Sequence, residues 1–193
     1  MKMLASIGSA ALLEMLSEIS TSNTRWSYRY IVNKLYLAEI PVDALKPFAL
    51  SEDRDLRKGV ATLLGKEGNI EAIPILQDLI SDSVKDVRRE AVSSLGRICS
   101  TAVIPVLTIT VKDENPQVRA ESAKALGKLQ DLGTLPLIEK LADDPEYGVR
   151  FQAFFALDRF GQPGENVIRK YQDKYPEIAR EFLAKKKNGE RSG

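Results

Sequence analysis

Hydrophobic residues recur along the middle of this chain at a spacing typical of amphipathic helices. Between residues 113 and 143, one apolar stripe follows the i, i+4, i+8 spacing of a helix that packs on one side, and a second stripe follows after a short break. The first consists of Val118, Ser122 with Ala123, Leu126 and Leu129, and the second of Leu135, Ile138 and Leu141. The pattern predicts two helices in this stretch.

The same pattern returns every 31 residues, without gaps, in four copies. The aligned columns are an arginine (Arg57, Arg88, Arg119, Arg150), a leucine (Leu64, Leu95, Leu126, Leu157), an aliphatic residue (Leu56, Val87, Val118, Val149), a glycine (Gly65, Gly96, Gly127) and a proline (Pro74, Pro105, Pro136). Asp158 replaces the glycine in the fourth copy. Neither helix of a copy can bury its apolar face alone, so the copies must stack on one another. We therefore predict an all-α protein, an α-solenoid or alpha-alpha superhelix of tandem two-helix repeats.

Residues typical of helix starts occur where the two predicted helices of a copy should begin. Asn115 and Asp144 each precede a proline, which predicts a capping side chain before a first-turn proline, and Thr134 precedes the second helix, with Pro136 in its first turn. A proline in the first turn costs little, because the amide hydrogen it lacks has no acceptor there.

The repeat defines the predicted organisation of the chain as a single solenoid over residues 1–185. Its predicted parts are an N-terminal capping helix at 1–19, a degenerate repeat at 20–50, repeats at 51–81, 82–112, 113–143 and 144–175, a closing helix at 165–185, and a disordered tail at 186–193. The basic and apolar opening residues are interpreted as an amphipathic helix rather than a signal peptide, and they are too few to span a bilayer.

The motif D-x-x-x-x-V-R-x-x-A-x-x-x-L-G covers Asp82–Gly96 and returns in near-identical form over Asp113–Gly127, each time followed by x-I/L-P-x-L. It resembles the short HEAT-like repeat of the phycobilisome-lyase type, and the resemblance extends from about Ser51 to Phe160. The resemblance implies an armadillo-type α-solenoid. Families with this repeat include adaptors, scaffolds, chromophore-attaching lyase subunits, iron-dependent hydroxylases and alkyl-purine DNA glycosylases, so the motif specifies architecture more strongly than function.

Composition narrows these classes. The chain has 28 Lys and Arg against 27 Asp and Glu, and a net charge of +1 provides no global field for nucleic acid or an anionic membrane. It contains no histidine, which removes the usual general base and the ligand that the iron sites of the hydroxylases require. We expect no cofactor and no metal. The single cysteine, Cys99, gives no intrachain disulfide, and a cytoplasmic location fits.

The arginine column is interpreted as structural, because its arginines lie six residues after Asp82, Asp113 and Asp144 (after Ser51 in the first copy), and pairing along the stack to those aspartates would join copy to copy. A second basic column, Lys66, Arg97, Lys128 and Arg159, is interpreted as solvated capping of helix C-termini. Cys99 is predicted to be a small buried hydrophobe.

Residues that differ between copies are the better candidates for function. Second helices of solenoids commonly line the face that holds a partner. We therefore take the following as partner-binding candidates: Gln77, Asp78, Thr108, Ile109, Lys112, Glu139 and Lys140, together with Phe151 and Phe155 of the aromatic last copy. The alternative is a solvated face without a partner. For Phe151 and Phe155, the C-terminal helix with Ile168, Tyr171, Ile178 and Phe182 would supply a cover, or this end would be a docking or self-association patch.

The sequence thus favours a non-catalytic scaffold or adaptor that binds a protein partner on its second-helix face. A phycobilin-lyase-like subunit or chaperone that handles a chromophore is the alternative, although no catalytic constellation is visible. A glycosylase-like DNA-binding solenoid is less favoured, because it would need a basic, aromatic-lined groove.

Overall fold

A computed structural model describes residues 41–66 and 69–189 of the chain, with side chains through residue 184. These residues form ten α-helices and no strand, in two compact units that meet in sequence between Ile98 and Cys99. Unit 1 contains α1 (Val42–Ala49), α2 (Arg54–Leu64), α3 (Ile73–Leu79) and α4 (Lys85–Ile98). Unit 2 contains α5 (Ile104–Thr110), α6 (Pro116–Leu129), α7 (Leu135–Leu141), α8 (Tyr147–Asp158), α9 (Gln162–Lys170) and α10 (Pro176–Gly189).

The helices follow the two-helix repeat predicted from the 31-residue period. The long helices α2, α4, α6 and α8 are the first helices of the four copies, and the short helices α3, α5 and α7 are second helices, each entered through a 3-10 turn. The leucine column (Leu64, Leu95, Leu126, Leu157) is fully buried. The apolar periodicity therefore identifies the core correctly.

The glycine column allows successive first helices to approach each other closely. In unit 2, a Cβ added at Gly127 of α6 would lie 2.6 Å from the Cβ and 2.8 Å from the Cα of Ala156 in α8. In unit 1, a Cβ at Gly65 would lie 2.6 Å from the Cβ of Ser94 in α4, whose hydroxyl donates to the carbonyl of Ala61 at 2.7 Å. A larger residue in this column would push the helices apart.

Of the three predicted helix caps, Asn115 forms as expected, and Asp144 and Thr134 differ from the prediction. The Asn115 side chain accepts from the amide of Gln117 at 3.0 Å, as a cap should. Asp144 accepts from the amide of Glu146 at 2.9 Å, but α8 begins at Tyr147, so its proline precedes the helix. Thr134 does not cap α7: it is buried in the 3-10 turn, and its hydroxyl donates to the carbonyl of Asp131 at 2.7 Å.

The closing segment is two helices rather than the single one predicted over residues 165–185. Helix α9 ends at Lys170 and α10 starts at Pro176. Proline disfavours helical geometry in the residue before it and fits the first turn of a new helix, so the chain turns here. Helix α10 then continues to Gly189, into the predicted tail. The rest of that tail, the predicted capping helix at 1–19 and most of the degenerate repeat lie outside the described residues.

The prediction that Cys99 is buried is wrong. Cys99 is exposed, and its φ of 55° lies in the left-handed region. Gln130 and Gly161, at the same position of the next two copies, have φ values of 51° and 64°. Left-handed geometry after a first helix ends that helix and turns the chain toward the second one.

Candidate functional site

The arginine column joins consecutive copies by two-point ion pairs. In unit 1, Arg57 donates from Nε to Asp82 Oδ2 at 2.5 Å and from its second terminal nitrogen to Oδ1 at 3.0 Å. Its remaining nitrogen donates to the carbonyls of Ser51 and Glu52 at 2.7 and 2.9 Å. The arginine therefore holds its own copy's entry loop while it binds the aspartate of the next copy.

Unit 2 repeats this arrangement with Arg119 and Asp144. The two donor distances are 2.7 and 2.9 Å, and the side chains are only 14% and 7% exposed. Burial acts to raise the pKa of Asp144, but hydrogen bonds from Arg119 and from the amide of Glu146 outweigh it and hold the pKa below its usual value. The pairing predicted from the sequence is confirmed for both arginines, and it occupies groups that could otherwise bind an anion.

The last arginine of the column has a different partner. The position that would carry the next aspartate is Tyr175, and the Arg150 guanidinium lies 4.7 Å from the centre of its ring and 5.8 Å from that of Tyr147. The Tyr175 hydroxyl donates to Asp143 at 2.6 Å. Aromatic rings thus replace a carboxylate where the column ends.

The basic column is more structural than predicted at Arg97. Instead of being solvated, Arg97 donates to the carbonyl of Gly65 at 3.2 Å, at the C-terminal end of α2, and forms an ion pair with Glu90 at 3.0 Å. It therefore caps the first helix of the preceding copy rather than its own.

Five of the candidate residues of unit 2 lie on α5, just after α5 or on α7. We name these five, Thr108, Ile109, Lys112, Glu139 and Lys140, the α5–α7 face. Ile109 is 58% exposed. Lys112 and Lys140 are exposed as well. Thr108 is half-buried, and its hydroxyl donates to the carbonyl of Ile104 at 2.9 Å.

Glu139 is engaged by the segment that follows α8. Lys170 forms an ion pair with Glu139 at 2.9 Å, and the Tyr171 hydroxyl donates to the Glu139 carbonyl at 3.4 Å. Asp143, one turn further on, pairs with Lys174 at 2.5 Å. These pairs, which the sequence analysis missed, join residues 31 positions apart, so the period itself was the signal that could have found them.

In unit 1, the candidates Gln77 and Asp78 are exposed on α3. They occupy the same repeat positions as Thr108 and Ile109. Unit 1 therefore presents polar and acidic side chains where unit 2 presents an apolar one.

The aromatic residues of α8 contact α10. Ring centres of Phe151 and Phe155 lie 5.7 and 6.5 Å from that of Phe182, which is itself buried. Phe155 remains 46% exposed, and Tyr147, which the sequence analysis did not select, is 58% exposed and stacks on Phe151. Helix α10 thus supplies part of the expected cover. Self-association through this end stays a prediction.

A shallow hollow of about 430 Å³ lies between α9 and α10, lined by Arg169, Gln172, Asp173, Pro176, Arg180, Leu183 and Ala184. None of the sequence candidates lines it. Within the described part of the chain, no group of three or more Cys, Asp or Glu side chains is arranged to hold a metal ion, and no helix is long and apolar enough to cross a membrane.

Comparison with known families supports the architecture. The family model of HEAT repeats matches residues 42–110 and 107–168, which is more than half of the chain. The chain belongs to the HEAT-repeat family. No curated protein matches it significantly in sequence.

Solved HEAT and armadillo structures share its fold. The complex of CpcE and CpcF of phycocyanin lyase from Nostoc sp. PCC7120 is similar, with 20% identity and a TM-score of 0.62 over 88% of this chain and 74% of that one. YibA from Escherichia coli has 21% identity and a TM-score of 0.67 over 86% and 66% of the two chains. A designed armadillo repeat protein has 15% identity and a TM-score of 0.52 over 88% and 95%. The fold is thus an α-solenoid of HEAT repeats, a fold typical of protein-interaction scaffolds.

Proposed function

We propose that this HEAT-repeat protein is a non-catalytic scaffold that binds a protein partner on the α5–α7 face. The observation that carries this proposal is Ile109, an aliphatic side chain that is 58% exposed on a second helix. The repeat does not require an apolar residue at this position, since the neighbouring copies carry Asp78 and Lys140 there. A partner that covers Ile109 would gain the free energy of burying its apolar surface.

The ion pairs within the repeat separate the residues that build the repeat from those that are left to bind a partner. Arg57, Arg119 and their aspartates are committed to joining copies, with two-point contacts of 2.5 to 3.0 Å. Residues that differ between copies are the ones left to bind a partner. Among these residues, Glu139 already forms an ion pair with Lys170. The proposed partner contact therefore involves chiefly Ile109, Lys112 and Lys140.

Quantitative co-purification from cells tests the proposal, with the wild-type chain compared with Ile109→Asp. We expect the variant to lose a defined set of proteins while its thermal unfolding stays unchanged, because the substituted side chain is exposed. Leu132→Asp is the matched control: Leu132 is 61% exposed but lies in the turn before α7, outside the α5–α7 face. Equal recovery of every protein by both variants would contradict the proposal.

A second candidate is a subunit that handles a chromophore, favoured by the fold shared with the phycocyanin lyase complex. In that case the same face would cover a pigment instead of a protein. Co-expression with a bilin would then give a purified protein with visible absorbance that Ile109→Asp abolishes. Absence of the pigment from the purified wild-type protein would remove this candidate.

A further inference from the structure

Near Ile109 in the repeat, the negative charges are neutralised by ion pairs, whereas two positive charges are exposed. The two carboxylates of α7 and its end, Glu139 and Asp143, are both paired with lysines that follow α8, at 2.9 and 2.5 Å. Lys112 and Lys140 are exposed and take no part in these pairs. The charge that remains on the α5–α7 face is therefore positive.

One of the two lysines follows Ile109 by three residues and the other by one repeat. Lys112 lies three residues further on, and its amide donates to the Ile109 carbonyl at 3.1 Å, so the two side chains share one side of the last turn. Lys140 is 31 residues after Ile109. Two other pairs of unit 2 residues with this separation, Lys170–Glu139 and Lys174–Asp143, form ion pairs, and by the same period Lys140 takes the position of Ile109 in the next copy.

From this arrangement we propose that the α5–α7 face binds an acidic peptide segment of the partner, with an apolar side chain on Ile109 and flanking carboxylates directed to Lys112 and Lys140. This inference rests on the proposed function and specifies the partner's chemistry. Opposite charges at the rim of an apolar contact select among partners and speed their encounter. Unit 1, with Gln77 and Asp78 at the corresponding positions, lacks this chemistry.

A nucleic acid would also be attracted to lysines, but the face suits it less. Single strands are held by base stacking on aromatic rings together with a continuous basic groove. The α5–α7 face offers an aliphatic side chain, and Glu139 lies next to Lys140. Tighter binding of an oligonucleotide than of an acidic peptide would therefore overturn the proposal.

Selection from a random twelve-residue peptide library displayed on phage tests this inference, with the intact chain as bait. We expect the selected peptides to contain a leucine, isoleucine or phenylalanine flanked by aspartate or glutamate. A labelled consensus peptide, measured by fluorescence anisotropy, should bind about tenfold more weakly to the double variant Lys112→Glu/Lys140→Glu. Lys46→Glu/Lys85→Glu, the same charge change at exposed lysines of unit 1, should leave the affinity unchanged.

The outcomes separate the two proposals. Selected peptides that depend on Ile109 but show no acidic preference, or that bind the charge-reversed variant equally well, would overturn the inference and leave the scaffold function standing. Peptides that bind Ile109→Asp as well as the wild type would place the contact elsewhere and contradict both. Tighter binding of a labelled poly-dT or poly-U strand than of the peptide would replace the acidic peptide with a nucleic acid.

Discussion

Replacing Asp144 with alanine removes the aspartate that joins the third and fourth copies. Its carboxylate accepts two hydrogen bonds from Arg119, at 2.7 and 2.9 Å, and one from the amide of Glu146 at 2.9 Å. At about 1 kcal/mol for each net hydrogen bond, Asp144→Ala should lower the free energy of unfolding by about 3 kcal/mol. The pair is mostly buried, so the stranded guanidinium regains little hydration.

Urea denaturation followed by circular dichroism measures this loss, and the adjacent Asp143→Ala is its control. Asp143 is also ion-paired, but it is exposed, so its removal should cost clearly less. A loss below about 1 kcal/mol for Asp144→Ala, or equal losses for both variants, would refute the structural role of the arginine column.

The same pair predicts a pH dependence. Because the folded-state pKa of Asp144 is below its unfolded value of about 3.9, its stabilising contribution is complete well above that pH and disappears as the pH falls through the folded-state pKa. The stability difference between wild type and Asp144→Ala should therefore shrink below about pH 4. A difference that stays constant down to pH 2 would show that the carboxylate charge contributes nothing.

Three further substitutions test the packing. Gly127→Ala should destabilise the chain by about 1–3 kcal/mol, because its Cβ would meet Ala156. The control Gly148→Ala, with open space around the added Cβ, should be neutral or slightly stabilising. Equal effects of the two substitutions in thermal melts would contradict the close approach of α6 and α8. Leu126→Ala should cost roughly 2–5 kcal/mol in urea denaturation, and a loss under about 1 kcal/mol would mean that the core column is misplaced. Cys99→Gly should stabilise the fold by about 1 kcal/mol relative to Cys99→Ala, since glycine tolerates the left-handed backbone; no difference in melting would argue against that geometry.

The repeat made most of the fold predictable from the sequence. A fixed period aligns residues of equal role, so the buried leucines and the partners of Arg57 and Arg119 follow from spacing alone. Ile109 lies outside the aligned apolar columns, and it is exposed.

What the sequence did not reveal lies where a copy departs from the pattern. Tyr175 replaces an aspartate, and a ring contact with Arg150 has no fixed sequence spacing to identify it. Cys99 was judged by its side chain, whereas its exposure is set by left-handed backbone geometry; the glycine at Gly161, in the same column, was the available signal. The partner face was predicted by analogy, because binding leaves no periodic trace.

The most direct test of the central claim is the affinity of a co-purified partner for Ile109→Asp, measured by isothermal titration calorimetry beside the wild type and Leu132→Asp. We predict that Ile109→Asp binds at least about tenfold more weakly while Leu132→Asp and the wild type bind alike, because Ile109 lies on the α5–α7 face and Leu132 does not. Equal affinities for all three proteins would contradict the proposal that this protein binds its partner on the α5–α7 face.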